Sequence, residues 1–293
     1  MTYGLYDDLH TEFEDPDKIW TPPVVPGRDT LFFAGDIASS PRDLNNFARK
    51  VECEQPEEVE NIVYIAGNHE FYGGKSRFGY HGYEKYREAL RGLKRSVFLE
   101  QETLELHNGW TVIGATLWTD LSNPVAEANA RSHMNDYQKI QRDAEPYGKI
   151  CPNDTTKWHQ KSVEFIKQAL QENDPKKTIL LTHHSPVQYG LTTHHAENDI
   201  ILLDMYGARL ENILTKFQPA LALHGHTHKT CIRNIGDTLI MNNPRGYVIK
   251  NAVSQEKYPE KWEQEEIFRK KLINAEFDPY FSQSIKKEYQ LSR

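Results

Sequence analysis

Five short apolar runs in this chain each break off at once into Asp, Asn or His, and that pattern limits the fold more than any other feature. Tyr3 to Asp7 leads into Asp8-Leu9-His10, Leu31 to Ala34 into Gly35-Asp36, and Ile62 to Ala66 into Gly67-Asn68-His69-Glu70. Thr178 to Leu181 leads into Thr182-His183-His184-Ser185-Pro186, and Pro219 to Leu223 into His224-Gly225-His226-Thr227-His228. Apolar runs of this length bounded by turn signals read as buried strands. Polar chemistry gathered at the carboxyl ends of adjacent strands is how a site in an α/β sheet reads. Side chains two apart in an extended segment share a face, so His226 with His228, and Asp8 with His10, can each aim at a single point. Neutral imidazole is a common metal ligand, which makes metal binding the first expectation.

The segments between these runs alternate helix with strand. Leu44, Phe47, Ala48 and Val51 lie at helical spacing behind Pro41 and predict a helix over 43–53. Further helices are expected over 80–93, 158–170 and 207–217, with strands at 97–99 (an edge), 111–118, 231–233 and 238–241. Residues 11–29, 119–156 and 187–203 read as lid-like loops that shape the site; 119–156 is expected to carry partial helix over 127–140, and 187–203 contains His194 and His195. The charged segment 251–273 reads as an exposed amphipathic helix whose Trp262, Phe268 and Leu272 dock on the parent domain, with a dimer contact as the alternative. No repeat, low-complexity tract or linker interrupts the chain, so one domain over 1–293 is the simplest organisation.

Composition narrows the partners. With 35 basic against 42 acidic residues the net charge is −7, which argues against an extended nucleic-acid footprint. No apolar run approaches the roughly 20 residues of a membrane helix, and a first strand beginning almost at Met1 leaves no room for a signal peptide, so a cytoplasmic location is expected. Cys53, Cys151 and Cys231 are odd in number and widely spaced, read as reduced thiols, and have no metal-ligand spacing.

Two metals held by mixed carboxylate, amide and imidazole ligands suit phosphoester hydrolysis, because ions about 3.5–4 Å apart clamp both the attacking and the leaving oxygen and activate water as the nucleophile. Hard oxygen ligands beside histidine fit two divalent metal ions drawn from Mn²⁺, Fe²⁺/Fe³⁺ or Zn²⁺. The ordered set Asp-x-His, Gly-Asp, Gly-Asn-His-Glu, His and Gly-His-x-His over residues 8–228 resembles the calcineurin-like metallophosphoesterase superfamily. The phrases Thr116-Leu117-Trp118-Thr119-Asp120, Met134-Asn135-Asp136-Tyr137, Asn243-Pro244-Arg245-Gly246-Tyr247 and Phe277-Asp278-Pro279 are similar to a bacterial and phage branch of it that lacks a settled substrate.

The resemblance implies an α/β four-layer sandwich of two mixed β-sheets flanked by helices. It also implies that Asp8, His10, Asp36 and His228 bind one metal, and that Asp36 bridges to a second completed by Asn68, His183 and His226. His69 is then the general acid or charge stabiliser over the leaving group, oriented by Glu70, a longer side chain than the Asp more usual there. Either His183 or His184 could ligate; His183, directly off the strand end, is favoured, with His184 a substrate or outer contact. After Asp36 the sequence Ile-Ala-Ser lacks the additional Asp of the protein serine/threonine phosphatase branch. Arg245 could bind a substrate phosphate bidentately or form an ordinary ion pair, and His133, Asn135 and Tyr137 could line a lid. Asp7 has no evident function.

The expected activity is hydrolysis of a small phosphorylated molecule, with nucleotide or other small phosphodiesters ahead of monoesters. A nuclease, and a metal-binding scaffold without turnover, are the alternatives.

Overall fold

The computed structural model describes residues 2–72, 77–78, 80–143, 148–188, 200–228 and 230–247. His194, His195, the expected helix over 251–273 and the phrase at 277–279 lie outside them. In chain order the elements are β1 (Thr2–Tyr6), β2 (Arg28–Phe33), α1 (Pro41–Glu54), β3 (Asn61–Tyr64), β4 (Arg77–Phe78), α2 (Tyr80–Leu90), β5 (Ser96–Phe98), β6 (Glu102–Glu105) and β7 (Thr111–Ala115). There follow α3 (Pro124–His133), α4 (Asp136–Lys139), β8 (Gln141–Arg142), α5 (Pro152–Glu172), β9 (Thr178–Thr182), α6 (Ile200–Tyr206), α7 (Glu211–Phe217), β10 (Leu221–Leu223), β11 (Cys231–Ile235) and β12 (Thr238–Asn242).

Two sheets carry the architecture. One, ordered β1-β2-β3-β5, is parallel throughout. The other, ordered β11-β12-β10-β9-β7-β6, is mixed: its four inner strands run parallel and its two edge strands antiparallel. Strand alternation sorts each buried strand between two cores. Leu31, Phe33, Ile62 and Tyr64 pack on Leu44, Phe47 and Val51 of α1 and Tyr83 and Tyr86 of α2. Their neighbours Phe32, Ala34, Val63 and Ile65 point the other way, onto Val112, Ile179, Leu181, Leu221 and Met241 of the second sheet. Ile113, Leu180, Ala222 and Ile240 on the far face of that sheet cover Ile166 and Leu170 of α5 and Leu214 of α7. Three apolar interfaces separate four layers, and each buried Leu, Ile, Val or Phe contributes about 1.5–3 kcal/mol. The expected sandwich of two stacked sheets flanked by helices is what the chain forms.

Local chemistry sets the element ends. Ser40 caps α1 by accepting from the Asp43 amide, with Pro41 in the first turn. Asn123 caps α3 by accepting from Val125 N–H. Cys151 and Asp154 form a capping box that starts α5 six residues before the expected helix over 158–170. The stretch 119–156 therefore carries helix in α3, α4 and the first turn of α5. The loop expected over 187–203 ends instead in helix α6 from Ile200, while the helix expected from Gly207 begins at Glu211. β7 stops at Ala115, short of Trp118, because Leu117 takes a left-handed φ of 50°.

Candidate metal centre

All five polar strand ends converge. In the parallel sheet, the loop leaving β1 runs beside the loop leaving β2, with Asp8 N–H donating to Gly35 O (3.1 Å) and His10 N–H to Asp36 O (2.9 Å). Within the second sheet Gly225 N–H donates to His183 O (2.9 Å), and this sheet meets the first through His183 Nδ1, 2.8 Å from Ala34 O. The closeness of these loops explains the glycines. A Cβ on Gly67 would lie 2.2 Å from Asp36 Oδ1, and one on Gly35, whose φ is +86°, would lie 2.5 Å from His183 Nδ1.

Two groups of ligand atoms share Asp36. Single ligand atoms of Asp8, His10, Asp36 and His228 lie within 4.8 Å of one another, as do those of Asp36, His183 and His226. Asp36 divides its carboxylate: Oδ2 is 3.9 Å from His10 Nε2 and Oδ1 is 3.5 Å from His183 Nε2. Asn68 joins the second group with Oδ1 3.0 Å from His183 Nε2, while its Nδ2 donates to Asp136 Oδ1 (2.8 Å) and Tyr72 Oη (3.1 Å), which fixes the amide orientation.

The donor set fits metal ions. His183 faces a carbonyl with Nδ1, and a carbonyl only accepts, so Nδ1 carries the proton and Nε2 keeps its lone pair. His10 faces Glu12 Oε1 with Nδ1 at 3.3 Å and is set the same way. Burial holds His10, His183 and His226 below the ordinary histidine range, His183 at about 4, so all three are neutral ligands at pH 7. Nε2 of His10 and His228 approach to 3.0 Å. His226 Nε2 and both carboxylate oxygens of Asp8 are buried with no hydrogen bond, although His228 Nε2 is 3.3 Å from Asp8 Oδ1. Buried polar atoms left in this way are costly unless a cation completes them. Burial, with Glu70 and Asp8 nearby, pushes the Asp36 carboxyl well above its usual range, and a cation would reverse that.

The backbone corrects one expectation. His226 and His228 do not share a face of an extended segment: His228 joins the first group and His226 the second. Both are left-handed (φ 70° and 49°), as are Asp8 (52°), His10 (49°) and Asp36 (55°). Five of nine non-glycine residues with positive φ among the described residues are candidate ligands. Each costs of order 1 kcal/mol, so the loops hold strain where function concentrates it.

Glu70 is the second correction. It was expected to orient His69, yet its carboxylate accepts from the backbone N–H of Gly67 (2.7 Å), Ile37 (2.8 Å), Asp36 (3.0 Å) and Ala38 (3.3 Å). Burial raises it to about 7 against those four bonds. Glu70 thus stitches the loop after β2 to the loop after β3. The His69 ring is held instead by Glu12, whose Oε1 is 2.9 Å from His69 Nδ1. The same oxygen faces His10 Nδ1, and the two histidine bonds hold Glu12 down at about 2 although burial alone would raise it. The Tyr247 hydroxyl lies 3.4 Å from His69 Nε2.

The other expected contacts divide. His184 is outside both ligand groups; its Nδ1 faces Thr116 O (3.3 Å) and its ring packs at a tilt against His226 and Trp118. Arg245 pairs with Glu14 and lies over the Trp20 ring. His133 is exposed on α3 beside Ser132, and Tyr137 is buried against Thr155. It is Asp136, between Asn135 and Tyr137, that reaches the centre through Asn68. Asp7 accepts from the Asn243 amide (2.7 Å) and its carbonyl from Arg245 N–H (3.0 Å), tying the end of β1 to the loop after β12. Of the residues missed, Glu12 carried a signal, since Asp8, His10 and Glu12 repeat at intervals of two. Tyr72 carried none, and Tyr247 only its place in the phrase Asn243 to Tyr247, because tertiary packing brings both to His69.

Comparison with known proteins gives the family and the fold. The profile of the calcineurin-like phosphoesterases matches residues 3–230. The chain belongs to that family. An uncharacterized protein of Acanthamoeba polyphaga mimivirus is 26% identical over 262 residues, covering 82% of this chain and 89% of its own. Among solved structures, the phosphopantetheinyl hydrolase of Mycobacterium tuberculosis superposes with a TM-score of 0.64 at 17% identity, over 84% of this chain and 89% of that one. This calcineurin-like phosphoesterase shares that protein's fold. No described helix is long and apolar enough to cross a membrane.

Proposed function

We propose that this phosphoesterase hydrolyses a small phosphodiester, a nucleotide derivative foremost, with two divalent metal ions, and that residues 1–293 act as one cytoplasmic domain. The division of Asp36 between two ligand groups carries the dinuclear reading. Asp8, His10, Asp36 and His228 would hold one ion, and Asp36, Asn68, His183 and His226 the other. When bound, such ions polarise the phosphoryl oxygens and supply a nucleophile from water at neutral pH.

The chain's own part is positioning and proton transfer. Glu12 holds Nδ1 of His69, so Nε2 faces the site and can hand a proton to the departing oxygen. Preference for a diester rests on charge. Arg245, the cation expected to bind phosphate, is engaged by Glu14, and Glu12 adds a further negative charge against His69. A singly charged diester suits that surround better than a doubly charged monoester. The acidic balance of the whole chain supports a small substrate over a polynucleotide.

The test is turnover of bis(p-nitrophenyl) phosphate against p-nitrophenyl phosphate by Mn²⁺-loaded protein, beside Asp36→Ala and His69→Ala. Diester hydrolysis that falls at least a hundredfold in both variants is expected. Turnover of the monoester alone would shift the assignment to a phosphatase, and full activity in Asp36→Ala would refute the dinuclear mechanism.

A further inference from the structure

Beside His69, two aromatic rings face solvent that a core would ordinarily bury. Phe13 closes the short 3-10 turn after His10 and is 41% exposed; Tyr247, in the loop after β12, is 48% exposed. Separate segments bring them together, with ring centres 5.7 Å apart and planes at 73°. Tyr247 stands 4.4 Å from the His10 ring and 4.6 Å from His228, and Phe13 stands 6.4 Å from His69. Two exposed rings at nearly a right angle form a corner: a planar guest can lie flat on one and present its edge to the other, the arrangement aromatic groups favour. An isolated exposed aromatic is ordinary, but a pair beside a candidate proton donor marks a place for a ligand. Glu12 and Glu14 outnumber Arg245 around this corner, and Arg245 is already paired with Glu14, so a neutral ring fits it better than a second phosphate.

We propose that Phe13 and Tyr247 form a leaving-group subsite for a neutral planar ring, so that the substrate is a phosphoester whose departing alcohol carries an aryl group or a nucleobase. This rests on the phosphoesterase reading of His69. The placement follows from the chemistry: the water oxygen bonds to phosphorus, the bond from phosphorus to the alcohol oxygen breaks, and His69 Nε2 gives that oxygen its proton. The group bearing the oxygen then leaves on the His69 side, where the two rings stand.

The experiment compares benzylphosphonate with cyclohexylmethylphosphonate, which matches it in size but is puckered, by calorimetric titration of the Mn²⁺-loaded full chain. Wild type is expected to bind the planar compound about tenfold more tightly, the worth of one stacked ring. Phe13→Leu, which keeps apolar bulk without an aromatic face, should bring the ratio near one, and Phe13→Trp should restore it. An adenosine 5′-phosphonate that binds more tightly than the benzyl compound assigns the ring to a nucleoside; the reverse order assigns it to a simple aryl alcohol. Equal or undetectable binding of the first two compounds, or an unchanged ratio in Phe13→Leu, overturns the subsite. Methyl benzyl phosphate gives a second reading: release of benzyl alcohol supports the placement, and release of methanol alone overturns it. If the planar phosphonate is preferred but no ester is hydrolysed, the subsite stands and the hydrolase reading falls.

Discussion

Two glutamates at the centre look alike in composition and differ in work. Glu12 touches two imidazoles and Glu70 touches four backbone amides, so their substitutions should separate cleanly. Glu12→Gln places an amide where both histidines need an acceptor that also carries charge. We expect kcat to fall about 10–100-fold with the melting temperature little changed. The loss should be larger for an alkyl ester than for a p-nitrophenyl ester, whose leaving group needs little protonation; equal losses would remove Glu12 from proton transfer. Glu70→Gln keeps one acceptor oxygen and sets an amide donor against the remaining backbone N–H groups. It should cost about 3 kcal/mol of stability in a denaturant titration, and a variant as stable as wild type would refute the bracing role. Gly67→Ala belongs with it. A methyl 2.2 Å from Asp36 Oδ1 must displace a ligand, so bound metal, measured by elemental analysis, should drop with stability. Sequence made the Gly-Asn-His-Glu phrase visible but not the direction in which Glu70 points, because the longer side chain reaches a neighbouring loop instead of the adjacent ring.

Elements were legible where apolar periodicity was strong. Strands β1, β3, β9 and β10 were expected within one or two residues, and β2 begins three residues before the expected Leu31, since buried parallel strands read as continuous apolar runs. β6 was missed because Glu102-Thr-Leu-Glu105 is an edge strand with charged ends, and α6 because its opening run Ile200-Ile-Leu-Leu is apolar without a helical period. The turn between β5 and β6 also hides a titrating group. Glu100 is buried, accepts the amide and hydroxyl of Thr116 (both 2.8 Å), and is raised by burial to about 7. A carboxyl whose folded pKa lies above its unfolded value of 4.5 contributes its stability below pH 4.5, and that contribution is lost as pH rises through about 7. Glu100→Gln keeps both acceptor bonds and has no charge to desolvate. The stability of wild type relative to this variant should therefore fall by about 3 kcal/mol between pH 4.5 and 8. Denaturant titrations at the two limits decide the matter, and a constant difference would show that the fold leaves the Glu100 carboxyl at its unfolded pKa.

For the whole molecule, the sheets serve as a frame that forces five loops, three of them with left-handed residues, to one place. The three apolar interfaces are insensitive to the identity of the loop residues, so the frame can tolerate left-handed Asp8, His10, Asp36, His226 and His228 and their closely placed like groups. This division explains what the sequence revealed: strand ends are local, whereas Glu12 over two histidines and Asp136 behind Asn68 need distant segments brought together, and the corner at Phe13 and Tyr247 exists only once both sheets are stacked. It also sets the thermal behaviour. A metal bound only by the folded chain stabilises it by about 2.7 kcal/mol at a hundred times its dissociation constant. For a chain of this size that corresponds to a rise of roughly 5–10 °C in melting temperature. Chelator should therefore lower the melting temperature of Mn²⁺-loaded protein by about that much. In Asp36→Ala the shift should shrink below that of single-group losses such as His226→Ala, because Asp36 serves both ligand groups while His226 serves one. If Asp36→Ala and His226→Ala respond to chelator alike, the two ions are not linked through Asp36, and the centre reduces to independent sites.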